Sequence, residues 1–493
     1  MPENFEQQPS STWNTPEATK LGRFFSDQAP ADKSLSGVFL LDKPRAAFLA
    51  RLGLAALAEQ TLDIQYYLWK GDATGSLLIH RALEAADRGV SVRILIDDIY
   101  HSGRDAVYAA IDAHPNIQVR VFNPIGNRKA GRNLNFVINK SKLNHRMHNK
   151  IFLADGAAAV LGGRNIGDDY FGSDPELNFR DLDALTVGPA AAEAGKSYDL
   201  YWNSRFAVPI RVLRKKPASI ADLEIFRTDL DRHIDAQGAM PYTLPFGFDE
   251  IRGEMEALRR ELIWATAEII VDPLERFAGN GESAFVRLGR QVTDSVENEI
   301  VIQTAYLIPT RAAIDNMTSL TSKGVRIRVM TNSMMSNNHV SVHGHYMKYR
   351  KRLIEAGVEL YELRADAAML DFLKRGREAI ANSHAGLHTK AVVVDDRLTL
   401  IGSFNMDPRS RDLNSEIGLL VHSEEFASQV LKMMEPDFDP ANSYRVTLNE
   451  SGRLRWTGSS PDGQVEFNNE PGATFWKRLS AGFVRLLPIE REL

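Results

Sequence analysis

Cysteine is absent from all 493 residues, which excludes disulfides, thiolate metal sites, a cysteine nucleophile and an N-terminal lipoprotein anchor. Long uncharged apolar runs are absent as well. The nearest candidate, 46–58, is interrupted by Arg51 and falls short of the roughly 18 to 20 residues that a bilayer crossing needs. The first 40 residues carry Gln, Ser, Pro and Asp with no basic stretch leading into an apolar one, so a cytosolic start and a flexible polar tail over 1–39 are expected. Positive charge is not in excess either: a net charge of −5 argues against a chain whose main task is coating nucleic acid. What is present, 44% hydrophobic and 25% charged residues, is the makeup of a globular protein large enough for two or more cores.

The chain repeats itself. From Leu62 it reads LDIQYYLW, a helical stretch, then RGVSVRILIDD; from Glu299 it reads EIVIQTAYLIP, a helical stretch, then KGVRIRVMTN. Each is strand, helix, strand, with Gly89 and Gly324 closing the helices. Strands alternating with helices imply an α/β fold whose sheets are covered on both faces. Both copies then run through a variable loop into one signature. The first is His148-Asn149-Lys150, IFLA, Asp155, six residues, Gly162-Gly163-Arg164-Asn165; the second is His388-Thr389-Lys390, AVVV, Asp395, six residues, Gly402-Ser403-Phe404-Asn405. The spacing matches at every position, and the apolar runs around each Asp predict a hairpin with Asp155-Gly156 or Asp395-Asp396 at its turn. The domains expected are a first lobe over 40–217, a helical connector over 218–267, a second lobe over 268–445 and a C-terminal extension over 446–493. Proline clusters in 209–217 and 241–245 punctuate the connector.

One His-x-Lys in an apolar strand is more often structural than catalytic. Two copies with matched Asp, Gly and Asn change that weighting, because core packing has no need of those residue types at matched positions. Paired imidazoles suit displacement at phosphorus: one ring attacks while the other protonates the leaving alkoxide. Lys150 and Lys390 would hold the phosphoryl oxygens, and Asn165 and Asn405 add neutral donors, giving a phosphoryl pocket without a metal or a cofactor. Asp155 and Asp395 belong to the repeated catalytic signature, although their turn positions favour holding the turn, or pairing with a nearby cation, over direct chemistry. Each histidine needs a partner on its other ring nitrogen. Glu416, in SEIGLLV, is the candidate for His388. Asp181 or Asp183, in DLDALTV, should serve His148, with Asp181 favoured because a five-residue insertion aligns it with Glu416.

These residues resemble the HxKx4Dx6G[GS]xN signature of the phospholipase D superfamily, present twice, with the resemblance covering about residue 40 to the C-terminus. The surrounding text, RMHNK, LGGRNIGDDYF, FRDLDALTVGP and IGSFNMDPRS among it, is most similar to bacterial cardiolipin synthases of the C type. The resemblance implies two α/β/α lobes related by a pseudo-two-fold axis, the signatures facing across the seam, with His148 as nucleophile and His388 as acid. The near-symmetry of the motifs leaves exchange of those roles open. It further implies phospholipid substrates, phosphatidylglycerol as acceptor, phosphatidylethanolamine or a second phosphatidylglycerol as donor, and a peripheral, cytoplasmic place on the inner membrane.

The terminal segment FWKRLSAGFVRLLP places Phe475, Leu479, Phe483 and Leu486 at helical spacing among Lys477, Arg478 and Arg485, which suits either a membrane interface or packing on the protein's own core. The loop 126–142, with Arg128, Lys129, Arg132, Lys140 and Lys142 around Leu134, Phe136 and Val137, also suits anionic lipid or a nucleic-acid backbone. His343 and His345 form a His-x-His without the accompanying carboxylates of a metal site, and are expected as pocket or surface residues near the mouth of the second lobe. The alternatives to phosphatidyl transfer are a hydrolytic phospholipase D and a nucleic-acid phosphodiesterase; the acidic net charge counts against the latter. Whether a protein partner takes part is left open by the sequence.

Overall fold

Short β-branched runs bounded by glycine set the strands, and capped amphipathic stretches set the helices between them. Asp72 accepts from Gly75 N at the start of helix Ala73–Asp87, and Thr310 accepts from Ala313 N at the start of helix Arg311–Ser322. Gly89 (φ 96°) and Gly324 (φ 94°) then turn the chain out of those helices in a conformation open to glycine. The computed structural model describes residues 5, 8–126, 128, 143–214, 216–236, 247–368 and 380–493.

The first half carries β1 (Ser36–Leu41), β2 (Thr61–Tyr66), β3 (Ser91–Asp97), β4 (Ile117–Phe122), β5 (Arg146–Met147), β6 (Ile151–Ala154), β7 (Ala158–Gly162), β8 (Leu177–Arg180), β9 (Asp183–Val187) and β10 (Ala207–Pro209). The second carries β11 (Ile263–Val271), β12 (Glu299–Thr304), β13 (Arg326–Asn332), β14 (Glu359–Leu363), β15 (His384–Leu387), β16 (Lys390–Val394), β17 (Leu398–Gly402), β18 (Asn414–Ser415), β19 (Ile417–His422), β20 (Ser443–Leu448), β21 (Leu454–Ser460) and β22 (Gly463–Phe467). The order β4-β3-β2-β6-β7-β9-β1 in the first lobe recurs as β14-β13-β12-β16-β17-β19-β11 in the second. Within each, β2 and β3, or β12 and β13, pair in parallel through their crossover helix. The lobes join where β1 pairs antiparallel with β11, Gly37 opposite Trp264, so one mixed sheet flanked by helices runs through the molecule. A core including Val38, Leu182, Ile263, Leu387 and Leu419 spans that seam.

Three expected boundaries move. The helical connector consists of helices Ile220–Ala236 and Phe248–Arg260, but from Ile263 the chain is β11, so the second lobe begins inside the range assigned to the connector. Ile263, Ala265 and Ala267 are buried while Thr266 and Glu268 are exposed, the alternation of a one-sided strand hidden among charged neighbours. The polar N-terminal segment is not a free tail over its described length. Helix Lys20–Ser26 buries Leu21 and Phe25, the Thr12 hydroxyl donates to Asp63 at 2.8 Å, and Arg93 donates to Thr12 Oγ1 at 3.0 Å. β20 crosses the boundary at 445/446, and β21 and β22 continue its sheet. Of the basic residues in the loop 126–142, Arg128 pairs with Asp98 and Asp105; Lys129, Arg132, Lys140 and Lys142, with Leu134, Phe136 and Val137, lie outside the described residues, as do the prolines of 241–245.

Candidate active site

The last residues of β3 and β13 fix the chain just ahead of each histidine. Asp97 Oδ2 accepts from Met147 N at 2.9 Å, and Asn332 Oδ1 accepts from Leu387 N at 2.8 Å. Arg146, fully buried, braces Asp97 at 3.1 Å and donates to Asn123 O at 2.9 Å. The strands that deliver the histidines then pair across the seam rather than within their own lobe. β5 runs parallel to β18, and β15 parallel to β8. His148 N donates to Ser415 O at 2.9 Å, and His388 N donates to Arg180 O at 2.8 Å.

That crossing decides the carboxylate partners and corrects the expected pairing. His148 Nδ1 lies 2.7 Å from Glu416 Oε2, and His388 Nδ1 lies 2.6 Å from Asp181 Oδ2. Each histidine is therefore oriented by the carboxylate of the opposite lobe, because the residue after the paired Ser415 is Glu416 and the residue after Arg180 is Asp181. Asp183, the other acid considered, serves elsewhere: its carboxylate takes Arg51 at 2.8 Å and Arg164 at 3.3 Å.

Lys150 Nζ donates to His148 O at 2.7 Å and Lys390 Nζ to His388 O at 2.5 Å, which keeps both ammonium groups in the site beside the rings. Asp155 and Asp395 are not among the reacting groups. Both take left-handed backbone (φ 54° and 49°) at the hairpin turns. Asp155 accepts from the backbone N–H groups of Glu59, Gln60 and Thr61, and Asp395 from those of Glu297, Asn298 and Glu299. Five residues of extended chain, roughly 16 Å, separate each from its lysine. They pin the entrance of β2 and of β12 to the signature hairpin. Asn165 Nδ2 donates to the Tyr170 hydroxyl at 2.9 Å, Asn405 N donates to Ser410 Oγ at 3.2 Å, and the side-chain oxygen of each Asn is buried without a partner.

Burial is the largest influence on the titration of these groups. It lowers His148 to about 4 against the pull of Glu416, and it holds His388 well below the ordinary range, with Lys390, Lys150 and His148 pushing the same way. It also brings Lys150 down to about 7 and Lys390 to about 8, opposed by Glu416 and Asp181. The carboxylates diverge. Burial raises Asp181, opposed by Lys390 and Arg164; Glu416 feels the same burial, but His148, Lys150 and the Ser403 hydroxyl together hold it below its usual value. The site thus presents two neutral imidazoles between lysines that gain full charge readily.

Aromatic rings close the sides. Tyr67 meets His148 edge-on at 4.7 Å, and Tyr170 meets His388 edge-on at 5.0 Å with Phe179 at 5.2 Å. Neither tyrosine was marked by the motif. Tyr67 stands in the strand text QYYLW, and only its place just beyond β2, beside the histidine strand, gives it away. Ser403, which donates to Glu416 Oε2, carried a signal in the signature itself: it is a hydroxyl at a position where the other copy has Gly163. The His343 and His345 pair is buried rather than lining a pocket or the surface. Arg350 Nη2 donates to His343 Nε2 at 2.9 Å, and His345 hydrogen-bonds Ser341 O and Leu487 O. Among the described residues no cluster of three or more His, Asp or Glu is arranged to hold a metal ion.

A family model described as "Cardiolipin synthase, PLD-like domain" matches residues 53–197 and 290–438, one match on each lobe. Cardiolipin synthase C of Escherichia coli (strain K12) is 36% identical over 464 residues, 92% of this chain and 95% of that protein. The chain belongs to the cardiolipin synthase family of the phospholipase D superfamily. A cardiolipin synthase A, from Pseudomonas entomophila (strain L48), is 27% identical across 84% of this chain and 70% of its own length. Among solved structures, phosphatidylserine synthase of Haemophilus influenzae Rd KW20 shares the fold, with a TM-score of 0.53 at 14% identity, covering 85% of this chain and 90% of that one. In this cardiolipin synthase family member both signature copies are complete, and they meet at one site.

Proposed function

We propose that the chain moves a phosphatidyl group from one phospholipid onto the hydroxyl of phosphatidylglycerol, forming cardiolipin through a phosphohistidine. The observation that carries this reading is the pair of buried imidazoles, each backed by a carboxylate on Nδ1, with a lysine beside each ring. His148 is assigned the attack. The carboxylate behind it, Glu416, is held anionic by Lys150 and Ser403, so the positive charge that develops as Nε2 bonds to phosphorus is compensated. The bond to the departing glycerol or ethanolamine oxygen breaks as His388, charged once the anionic phosphate is bound, passes its Nε2 proton to that oxygen. In the second half the acceptor's hydroxyl returns a proton to His388 Nε2, its oxygen bonds to phosphorus, and the phosphorus–nitrogen bond to His148 breaks. Lys150 and Lys390 hold the non-bridging oxygens throughout.

The place of action is the surface of a membrane, and the terminal helix supports it. Helix Phe475–Val484 rests on helix Val340–Tyr346, where a side chain at Gly344 would collide with Ala481 O. Its apolar face points outward: Phe475 is 63% exposed, Trp476 73%, Phe483 64% and the following Leu486 79%. Packing on the protein's own core, the other reading of that segment, does not describe a face this open. No helix among the described residues is long and apolar enough to cross a membrane. Trp476→Glu with Phe483→Glu should weaken co-sedimentation with anionic liposomes by tenfold or more; unchanged binding would remove the helix from the account.

The function itself is tested by incubating the purified protein with phosphatidylglycerol liposomes, with and without phosphatidylethanolamine, and reading cardiolipin and phosphatidic acid by mass spectrometry. Cardiolipin as main product is expected. Phosphatidic acid alone would make water the acceptor and the protein a hydrolase, and neither product would overturn the lipid reading.

A further inference from the structure

The two lobes differ beneath their signatures. In the first, Arg51 Nε donates to the Tyr66 hydroxyl at 2.9 Å and Arg51 Nη2 to Asp183 at 2.8 Å, while Arg164 Nη1 lies 3.3 Å from Asp183. This polar plug fills the space between helix Pro44–Leu57 and the sheet, and that helix buries eleven of its fourteen residues. By the register of the repeats, Thr304, Gly418 and Phe404 stand where Tyr66, Asp183 and Arg164 stand. None is charged, and helix Ala284–Ser295 buries only Phe285. A cavity of about 390 Å³ remains in the second lobe, between helices Ala284–Ser295 and Arg311–Ser322 and the sheet. Val392, Leu398 and Leu400 face it half-buried, although they lie mid-sheet; their counterparts Phe152, Ala158 and Val160 are sealed from solvent. The lining of the cavity includes Lys390, of the candidate active site, and also Gly289 and Asn316, both exposed.

We propose that this cavity takes one acyl chain of the phospholipid substrate, with the phosphate held at Lys390. The occupant follows from the lining and from continuity with the site: an apolar cavity whose wall includes Lys390, the lysine beside His388, matches a lipid tail joined to its phosphate. The volume lies within the roughly 300 to 1,000 Å³ of small-molecule sites. The side chains of Phe285 and Phe404 stack with centroids 5.0 Å apart and planes 6° apart, forming part of its wall. A Cβ at Gly418 would stand 3.0 Å from the Phe285 ring, so the wall occupies the space that Asp183 fills in the other lobe. Leaving a bilayer for this cavity exchanges one apolar surrounding for another, so the cavity fixes the position of the lipid instead of driving its binding. For a lipid dissolved as monomers in water the gain is direct, about fourfold in affinity per methylene buried.

The proposal rests on the phosphatidyl-transfer reading, and the experiment separates the two. Gly289→Phe points a ring into open space, since a Cβ there meets nothing within 4 Å; Ala313→Phe narrows the cavity from the second helix. Turnover is read on dibutanoyl- and dihexanoyl-phosphatidylglycerol below their micellar concentrations, and on bis(p-nitrophenyl) phosphate, which has no chain. The unmodified protein should gain about tenfold or more in kcat/KM from the butanoyl to the hexanoyl lipid, and the variants should lose that gain while cleaving the chainless diester within twofold of the parent. Equal chain-length gain in parent and variants, or equal loss on all three substrates, overturns the proposal. Binding of the chain alone is followed by the fluorescence of cis-parinaric acid. Parent binding that the variants lack, with no turnover of either lipid, would overturn the phosphatidyl reading and leave the acyl cavity standing; failure of the parent to bind would overturn the cavity whatever the enzyme turns over.

Discussion

The two halves of the site use the same groups with different supports. Behind His148 stands Glu416, whose carboxylate also accepts from the Ser403 hydroxyl; behind His388 stands Asp181, one methylene shorter, with Gly163 at the position matching Ser403. A Cβ at Gly163 would fall 2.2 Å from Asp181 Oδ1, so the shorter acid and the missing side chain come as a set. Deeper in, one lobe has a charged plug and the other a cavity. Duplication has kept what touches the reaction alike and let the surroundings diverge, as expected if chemistry needs symmetry at the phosphorus while substrate holding and stability need it in neither lobe.

The largest effect should come from cutting the crossed pairs. Glu416→Gln and Asp181→Asn each remove the anion that fixes a ring tautomer, and each should lower turnover by about 10³-fold. Nuclear magnetic resonance of the imidazole Nδ1 protons makes the comparison sharp: Glu416→Gln should move the His148 signal and leave His388 in place, and the reverse result would mean that each lobe supplies its own acid. Next is stability. Asp183→Ala strands Arg51 and Arg164 in the core without a counter-charge and should cost about 3 to 5 kcal/mol in urea unfolding. The matched change Gly418→Ala, against a ring with room to give, should cost about 1 kcal/mol. Similar losses at both positions would erase the contrast between plug and cavity. The smallest effect is in pH. Lys150 near 7 and Lys390 near 8 are charged below those values and neutral above them in the free protein. Affinity for glycerophosphoglycerol, a diester of constant charge, should therefore have the full contribution of both lysines below pH 7. Above those values it should weaken by up to about tenfold per pH unit and per lysine, beyond the shallower loss that the protonation of His388 on binding causes across the whole range, with proton uptake on binding seen by calorimetry. A profile that does not steepen from pH 6 to 9 would mean that both lysines stay charged in the free protein.

Much of this was legible because the chain repeats. Matched spacing located both hairpins, both histidines and both lysines, and it placed Asp155 and Asp395 at turns, where they bind backbone amides. Spacing could not reveal which lobe a carboxylate serves: Glu416 follows the second signature in the chain, but the β5–β18 ladder carries it to His148. The alternation in β11 was masked by the charged helices before it, and the N-terminal segment read as a tail because Thr12 and Ser10 anchor it to Arg93 by polar contacts with no periodicity and its one helix, Lys20–Ser26, is too short for Leu21 and Phe25 to make a pattern. His343 and His345 looked accessible because histidine usually is; they are buried against Arg350 and the carbonyl of Leu487. The plug and the cavity were written in the substitutions Tyr66 to Thr304, Asp183 to Gly418 and Arg164 to Phe404, whose meaning appears only when their side chains are seen to meet.

The crossed dyads also bear on ancestry. Neither signature histidine takes its acid from its own lobe, so half of this gene would encode a protein able to assemble a complete pair only by docking against a second copy of itself. Such a copy, fused head to tail, would give this arrangement at once, and afterwards neither half could be discarded without disabling both histidines.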